Sequence, residues 1–394
     1  MTLDPFIADW LNLLLRWAHM IAGIAWIGTS FYFVALDFSL KRHDGLPAGV
    51  YGEAWEVHGG GFYHVQKYSL APADLPSDLI WFKWEAYLTW LTGFLLLIVQ
   101  FYFNATIYLI DPAILPLTPW QAVAISVVSL AVGWFIYDSL CRSPLVHRPG
   151  WLALAVLLLI LIAAYGFTNV FSGRGAIIHI GAFIGTMMAA NVFAVIIPNQ
   201  KKITASLLKG ETPDPKFGIT GKQRSLHNTY LTLPVLLMMI SNHYPMITNH
   251  PHAWILVGLI VIGGASLRHF LVRHEVGDGI EEIAWNLPII FGALAAALWL
   301  TEPKPLISEG VVVSDQEVLS VTAKHCTMCH TVKPTHVGFK EAPKGVMLET
   351  LDELRRYKPQ IEAQAVRNKA MPLGNETGMT DEERARLGAW LAAQ

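Results

Sequence analysis

Leu152-Ala-Leu-Ala-Val-Leu-Leu-Leu-Ile-Leu-Ile-Ala-Ala164 decides the fold of this chain, because it lies within an uncharged apolar segment, 151–171. A segment of about 20 apolar residues is the length that crosses a bilayer as a helix. Working outward from it, the same criterion predicts eight membrane spans in all. Their approximate limits are 10–36, 84–110, 118–140, 151–171, 176–198, 229–247, 253–272 and 283–301.

Charge divides the chain into two parts. Charged residues are 15% of the whole, against about 25% in soluble domains. They number 34 in residues 1–302 and 24 in the last 92 residues. We therefore expect a membrane domain, 1–302, and a soluble domain, 303–394, which we call the tail. Neither part has a basic surplus, so the composition argues against a nucleic-acid partner.

The loops predict an orientation. The segments after spans 1, 3, 5 and 7 contain thirteen Lys and Arg residues, from Lys41 to Arg273. The N-terminal segment and the loops after spans 2, 4 and 6 contain only Arg174. Basic residues concentrate on the cytoplasmic side of a membrane. The N-terminus and, after eight crossings, the tail are thus expected on the outer side of a lipid bilayer.

The tail contains a haem attachment motif. Cys326-Thr-Met-Cys329-His330 has the Cys-x-x-Cys-His pattern, in which two thiols bond a haem covalently and the histidine binds its iron. A zinc or redox-active Cys-x-x-Cys is the alternative, but no second cysteine pair follows. The motif predicts a haem c held by Cys326, Cys329 and His330.

The residues around the motif predict three short helices. Ser314…Glu317, Thr350…Glu353 and Thr380…Glu383 have capping-box spacing. Between the last two helices lies Ala370-Met371-Pro372, where the Met371 thioether would bind the iron opposite His330. Met347 and Met379 are alternatives for that position, and any of the three could instead fill a core. The tail therefore resembles a small class I cytochrome c.

Histidines within the spans suggest a second cofactor. His19 lies midway along span 1, and His179 and His243 lie toward the outer ends of spans 5 and 6. Ionisable residues inside a membrane are costly and often functional. Paired imidazoles could hold a b-type haem or a metal. Alternatively, each histidine satisfies a hydrogen bond between helices.

The inner loops suggest a site for a flat anion. The first, about 37–83, contains His58-Gly-Gly-Gly61 and Lys67 and leads to Trp84-Glu85. Aromatic faces beside basic groups would hold such a ligand, and consecutive glycines would let it approach the backbone. Arg224, His227 and Asn228 repeat this chemistry at span 6. An aromatic belt with ordinary positive-inside charge is the alternative.

Three stretches together resemble one known family. They are Arg16-Trp-Ala-His19-Met-Ile-Ala-Gly23-Ile-Ala-Trp26-Ile-Gly28, the His58–Gly61 loop with Lys67-Tyr68, and Arg224-Ser-Leu-His227-Asn228. The chain is similar over essentially its whole length to the bacterial membrane-bound urate oxidases linked to cytochrome c. The fold class expected from this is an all-α bundle of about eight spans followed by a class I cytochrome c-like domain.

The resemblance implies oxidation of urate to 5-hydroxyisourate without hydrogen peroxide. Electrons would leave through the haem c toward a respiratory cytochrome oxidase or a soluble cytochrome c. It also implies the bacterial inner membrane, with a periplasmic tail. Candidate catalytic residues are His19, His58, Lys67 and Glu85, and candidate substrate ligands are Trp84, Arg224, His227 and Asn228. The alternative is a non-catalytic cytochrome c subunit of a respiratory complex.

Overall fold

The computed structural model describes residues 4–68, 75–76, 78–302 and 313–394. Helices dominate it, as the sequence predicts, and six of them are long and apolar enough to cross a membrane. We call residues 4–302 the membrane part. The sequence also predicts that Pro303 and Pro305 end span 8 and stiffen the exit toward the tail, and both prolines lie outside the described residues.

The membrane part contains eight main helices. They are α1 (Pro5–Ser39), α2 (Trp84–Leu96), α4 (Pro119–Arg142), α5 (Pro149–Thr168), α6 (Gly173–Ala190), α8 (Pro215–Ser241), α10 (Ala253–Val276) and α12 (Asn286–Thr301). A π-helical segment, Leu97–Tyr102, extends α2, and another, Asn191–Ile196, joins α6 to α7 (Ile197–Leu208). Three single-turn helices complete this part: α3 (Ala105–Tyr108), α9 (Pro245–Thr248) and α11 (Ile280–Ile283).

Two of the eight main helices, α8 and α12, are not among the six that are long and apolar enough to cross a membrane. They correspond to the sixth and eighth expected spans. The sixth belongs to α8, whose N-terminal half carries Lys216, Lys222 and Arg224 and so is less apolar. This helix starts 14 residues before the expected 229, because Asp214 caps it by accepting from the Lys216 N–H at 2.9 Å. The eighth, α12, is apolar but has only 16 residues.

Helix α6 lies at the centre of the bundle. Of its most apolar stretch 61% is buried, against 11–28% in the other five apolar helices. It packs against α4, α5 and α8. Gly133 of α4 allows this, because a Cβ there would lie 1.9 Å from the Phe183 ring of α6. Large apolar side chains elsewhere, such as Phe135 and Ile162, face outward, as lipid-facing residues do.

The first inner loop folds into a β-hairpin, which the sequence reading did not anticipate. Strands β1 (Val50–His58) and β2 (Gly61–Tyr68) pair antiparallel. Gly59 and Gly60 form the two-residue turn with φ of 59° and 80°, the left-handed geometry that such turns need. Nothing lies within 4 Å of a Cβ built on either glycine. The backbone geometry therefore gives these two glycines a role in the turn, and a ligand contact there stays a prediction.

The tail forms a small helical unit, and its three expected capping boxes are confirmed. Its helices are α13 (Asp315–His325), α14 (Leu351–Arg356), α15 (Lys358–Ile361) and α16 (Asp381–Ala393), with a π-helical segment at Glu362–Arg367. Their apolar faces enclose Trp390, which is 2% exposed and donates from Nε1 to Asp315 at 2.7 Å. This bond ties the last helix of the tail to its first.

The tail packs on the loops that join α2 to α4, α5 to α6 and α8 to α10. Asn249 Nδ2 donates to the Asn368 carbonyl at 2.9 Å. Gly374, with φ of 61°, lies so close to Ile107 that a Cβ there would be 2.3 Å from its carbonyl oxygen. These loops follow the expected spans 2, 4 and 6, so they lie on the same side of the membrane as the N-terminus. The tail follows span 8, and an even number of crossings places it on that side too.

Glu383 makes the stability of the tail depend on pH. Hydrogen bonds from Lys324 and the Thr380 N–H, with His325 beside them, lower the pKa of Glu383 to about 2. The stabilisation is therefore complete above the ordinary carboxyl pKa of about 4.5 and is lost as the pH falls toward 2. We expect E383Q to destabilise α16 by about 1–2 kcal/mol at pH 7.

Hydrogen exchange of the α16 amides in the full-length protein measures this effect. E382Q is the matched control, because Glu382 is the exposed neighbouring carboxylate. Equal protection of α16 in the wild type and E383Q at pH 7 would contradict the prediction.

Candidate functional site

The haem motif forms one tight turn at the end of α13. The His330 N–H donates to the Cys326 carbonyl at 2.8 Å, and the Cys329 N–H donates to it at 3.2 Å. His330 Nδ1 lies 2.9 Å from the Val346 carbonyl, so this nitrogen carries the hydrogen and Nε2 keeps its lone pair. An oriented imidazole with a free Nε2 is what a proximal iron ligand requires. The residues fit a covalent haem c.

The two thiols resemble attachment sites more than reactive thiolates. Both cysteines are free and lie on this turn. Burial raises the pKa of Cys326 to about 12, and it also raises the pKa of Cys329. A reactive Cys-x-x-Cys has the opposite property, a lowered thiol pKa.

Two of the candidate distal methionines, Met371 and Met379, differ in their burial. Met379 is 3% exposed within the tail core, whereas Met371 is half-buried at its edge. Buried Arg384 donates from Nη1 to the Met371 carbonyl at 2.6 Å and from Nη2 to Asn375 at 3.2 Å. Met379 therefore fills the core, and Arg384, which the sequence reading missed, positions the loop that carries Met371.

His19 has one ring nitrogen without a hydrogen-bond partner among the described residues. Its Nδ1 faces the Thr89 carbonyl of α2 at 2.9 Å and lies 3.1 Å from Thr92 Oγ1. Gly93 makes room for the ring, since a Cβ there would lie 2.8 Å from His19 Cε1. Nδ1 therefore holds the hydrogen, and Nε2 can accept a proton or bind a metal.

The other two candidates for a second cofactor differ from His19. His179 is fully buried, and both ring nitrogens are hydrogen-bonded, Nδ1 to the Gly175 carbonyl and Nε2 to Ser126 Oγ, each at 2.7 Å. His243 is exposed just after α8. Within the described residues, no three or more His, Cys, Asp or Glu side chains form a group that could hold a metal. A second haem or metal thus stays a prediction.

The residues proposed on the first inner loop are not brought together. Lys67 pairs with Asp37 of α1 at 2.6 Å, which fastens the hairpin to that helix. His58 is exposed beside the hairpin turn, and 61% of Trp84 is exposed. No contact between described residues joins either Lys67 or His58 to Glu85.

Three of the proposed substrate ligands do meet, in a buried polar cluster between α4, α8 and the π-helical segment after α6. Arg224 is fully buried, and its Nη2 donates to Asp138 at 2.7 Å. Asn191 Nδ2 donates to Asn228 Oδ1 and to the Tyr137 hydroxyl, both at 2.9 Å.

The cluster is internally paired. The Tyr137 hydroxyl lies 2.8 Å from His227 Nδ1, and Asn228 Nδ2 donates to the Met188 carbonyl at 3.0 Å. Most of the groups proposed to bind a substrate thus bind each other, although Arg224 Nε has no partner in the described part of the chain. These hydrogen bonds hold α4, α8 and the π-helical segment after α6 together. A role of these residues in binding a substrate remains a prediction.

A cavity of about 610 Å³ lies between the tail and the membrane part. Its lining includes Tyr108, Arg174 and Asn249 from the membrane part, and Asn375 and Arg384 from the tail. The sequence indicated Arg174 only as a charge on the outer side, and no pattern in it predicted the other lining residues. No local motif marks them, because the lining comes from five separate segments of the chain.

A family described as urate oxidase N-terminal has a model that matches residues 5–301. No curated protein and no solved structure matches the chain.

Proposed function

Because the chain belongs to the urate oxidase N-terminal family, we propose that it oxidises urate to 5-hydroxyisourate and passes the electrons to a haem c in its own tail. The family match covers the membrane part and supports an oxidoreductase acting on urate. The observation that carries the haem assignment is the oriented His330, with Nδ1 bonded to Val346 and Nε2 free, next to Cys326 and Cys329.

The reaction balances without hydrogen peroxide. Urate gains a hydroxyl oxygen from water at C5, and two protons and two electrons leave. A haem c accepts one electron at a time, so each urate requires two successive transfers. The electrons then pass to a respiratory cytochrome oxidase or a soluble cytochrome c at the bacterial inner membrane, with the tail in the periplasm.

The chain's own residues would bind the urate anion and take a proton from it. His19 is our candidate base, because its Nδ1 is held by Thr89 and its Nε2 is available. Met371 and His330 would be the residues that hold the haem iron, and Arg384 positions the loop that carries Met371.

Anaerobic addition of urate to the detergent-solubilised, purified protein tests the proposal. We expect reduced c-type absorption bands while urate absorbance falls, with two haems reduced for each urate consumed. The same sample without urate is the control. If urate leaves the haem oxidised while dithionite reduces it, the protein is instead an electron-transfer subunit without urate oxidase activity.

A further inference from the structure

The cavity under the tail has the size and position of a small-molecule site. Its volume of about 610 Å³ lies within the usual range of ligand pockets, about 300–1,000 Å³. Ala370 and Leu373, which flank the Met371-Pro372 pair, line its tail side. A molecule bound there would lie beside the loop that carries the candidate iron ligand.

The charges around the cavity favour an anion. Arg174 lines it, and neither Arg174 nor nearby Arg16 forms an ion pair with a carboxylate in the described residues. The guanidinium of Arg16 bonds only the side-chain oxygens of Asn12 and Gln100, and the charge of Arg174 acts on it repulsively. Arg174 is half-buried in the cavity wall, and a bound anion would neutralise its charge.

The acidic residues of the lining already have partners. Asp381 pairs with Lys369 at 2.7 Å. Asp111 interacts with Asn375 and with the charge of Arg384, and burial raises its pKa. These carboxylates therefore do not neutralise Arg174. Tyr108 also lines the cavity, and an aromatic side chain can stack on a flat ligand.

We propose that urate binds as its anion in this cavity, with Arg174 as the charged anchor and Tyr108 beside its ring. The proposal rests on the proposed function and places the substrate on the tail's side of the membrane. A guanidinium can pair with two neighbouring acceptors of a planar anion at once, which an amide or a lysine cannot reproduce.

His19 lies on the same helix as Arg16, which interacts electrostatically with the cavity-lining Arg174. It follows Arg16 by three residues, so both lie on one face of α1, and both contact α2 or its π-helical extension. At 1.5 Å of rise per residue, about 4.5 Å separates them along the helix axis. With urate on this side, its electrons need not cross the bilayer to reach the tail, so no second haem or metal is required as a bridge.

Binding without turnover tests the site. In protein reduced beforehand with dithionite under argon, the haem cannot accept electrons, so equilibrium dialysis with radiolabelled urate measures binding alone. We expect R174Q to raise the Kd for urate at least about 10-fold, because the variant loses a charge-assisted hydrogen bond to the anion. R174K should fall between R174Q and the wild type. R148Q is the matched control, because Arg148 is exposed on the opposite side, and it should leave the Kd within about two-fold.

The outcomes separate the two proposals. If urate reduces the wild-type haem but R174Q binds urate as tightly as the wild type, the site is wrong and the proposed function stands. If the wild type neither binds urate nor is reduced by it, the proposed function itself fails. An unfolding transition of R174Q that matches the wild type, followed by helical circular dichroism of the detergent-solubilised protein, would show that the variant is folded.

Discussion

Replacement of His330 by alanine is expected to abolish the c-type absorption spectrum while the protein still inserts into the membrane. The imidazole is the nitrogen ligand that the Cys-x-x-Cys-His turn supplies, and the Val346 carbonyl orients it through Nδ1. The membrane helices do not depend on it, because His330 belongs to the tail. Spectra of membranes normalised to protein amount measure the loss, which should be complete, and urate-dependent reduction should disappear with it.

H336Q is the control for the loss of a tail histidine. His336 bonds Glu376 at 2.9 Å and accepts from the Gly338 N–H, and a glutamine can keep a hydrogen bond there. We expect H336Q to retain the c-type bands. A normal spectrum in H330A, or its loss in both variants, would contradict the assignment of His330.

Asp138→Leu is expected to destabilise the membrane part by about 3–5 kcal/mol, because it leaves the buried Arg224 charge without its counter-ion. The unfolding transition of the detergent-solubilised protein, followed by the loss of helical circular dichroism, measures the effect. The same variant should also lower the yield of folded protein in membranes.

Two further variants identify the cause. R142Q removes the other partner of Asp138, which is exposed and 2.7 Å away, and should cost only about 0–1 kcal/mol. The double variant D138L/R224M removes both charges and should recover most of the lost stability. If the double variant is no more stable than D138L alone, the unpaired Arg224 is not the reason for the loss.

The sequence was sufficient for features that repeat along the chain or depend on neighbouring residues. Apolar segments of about 20 residues placed the helices, since a bilayer requires that length, and the capping boxes at Ser314, Thr350 and Thr380 predicted the starts of three tail helices. The hairpin was missed because the triple glycine was interpreted as a ligand contact, although Gly59-Gly60 between two β-rich segments is also a turn signal. Helix α8 begins before the expected span because Asp214 caps it and because its N-terminal half, which carries the exposed Lys216 and Lys222, is largely polar.

The sequence by itself thus determined the helical membrane architecture, the separate tail and the haem motif, all of which depend on residues close together in the chain. Only the tertiary structure decided which polar residues meet. It paired Arg224 with Asp138 inside the bundle and placed Arg174 opposite Arg384 across a cavity. The physical reason is that burial and charge balance depend on contacts between residues 86 or more positions apart, which no local pattern encodes.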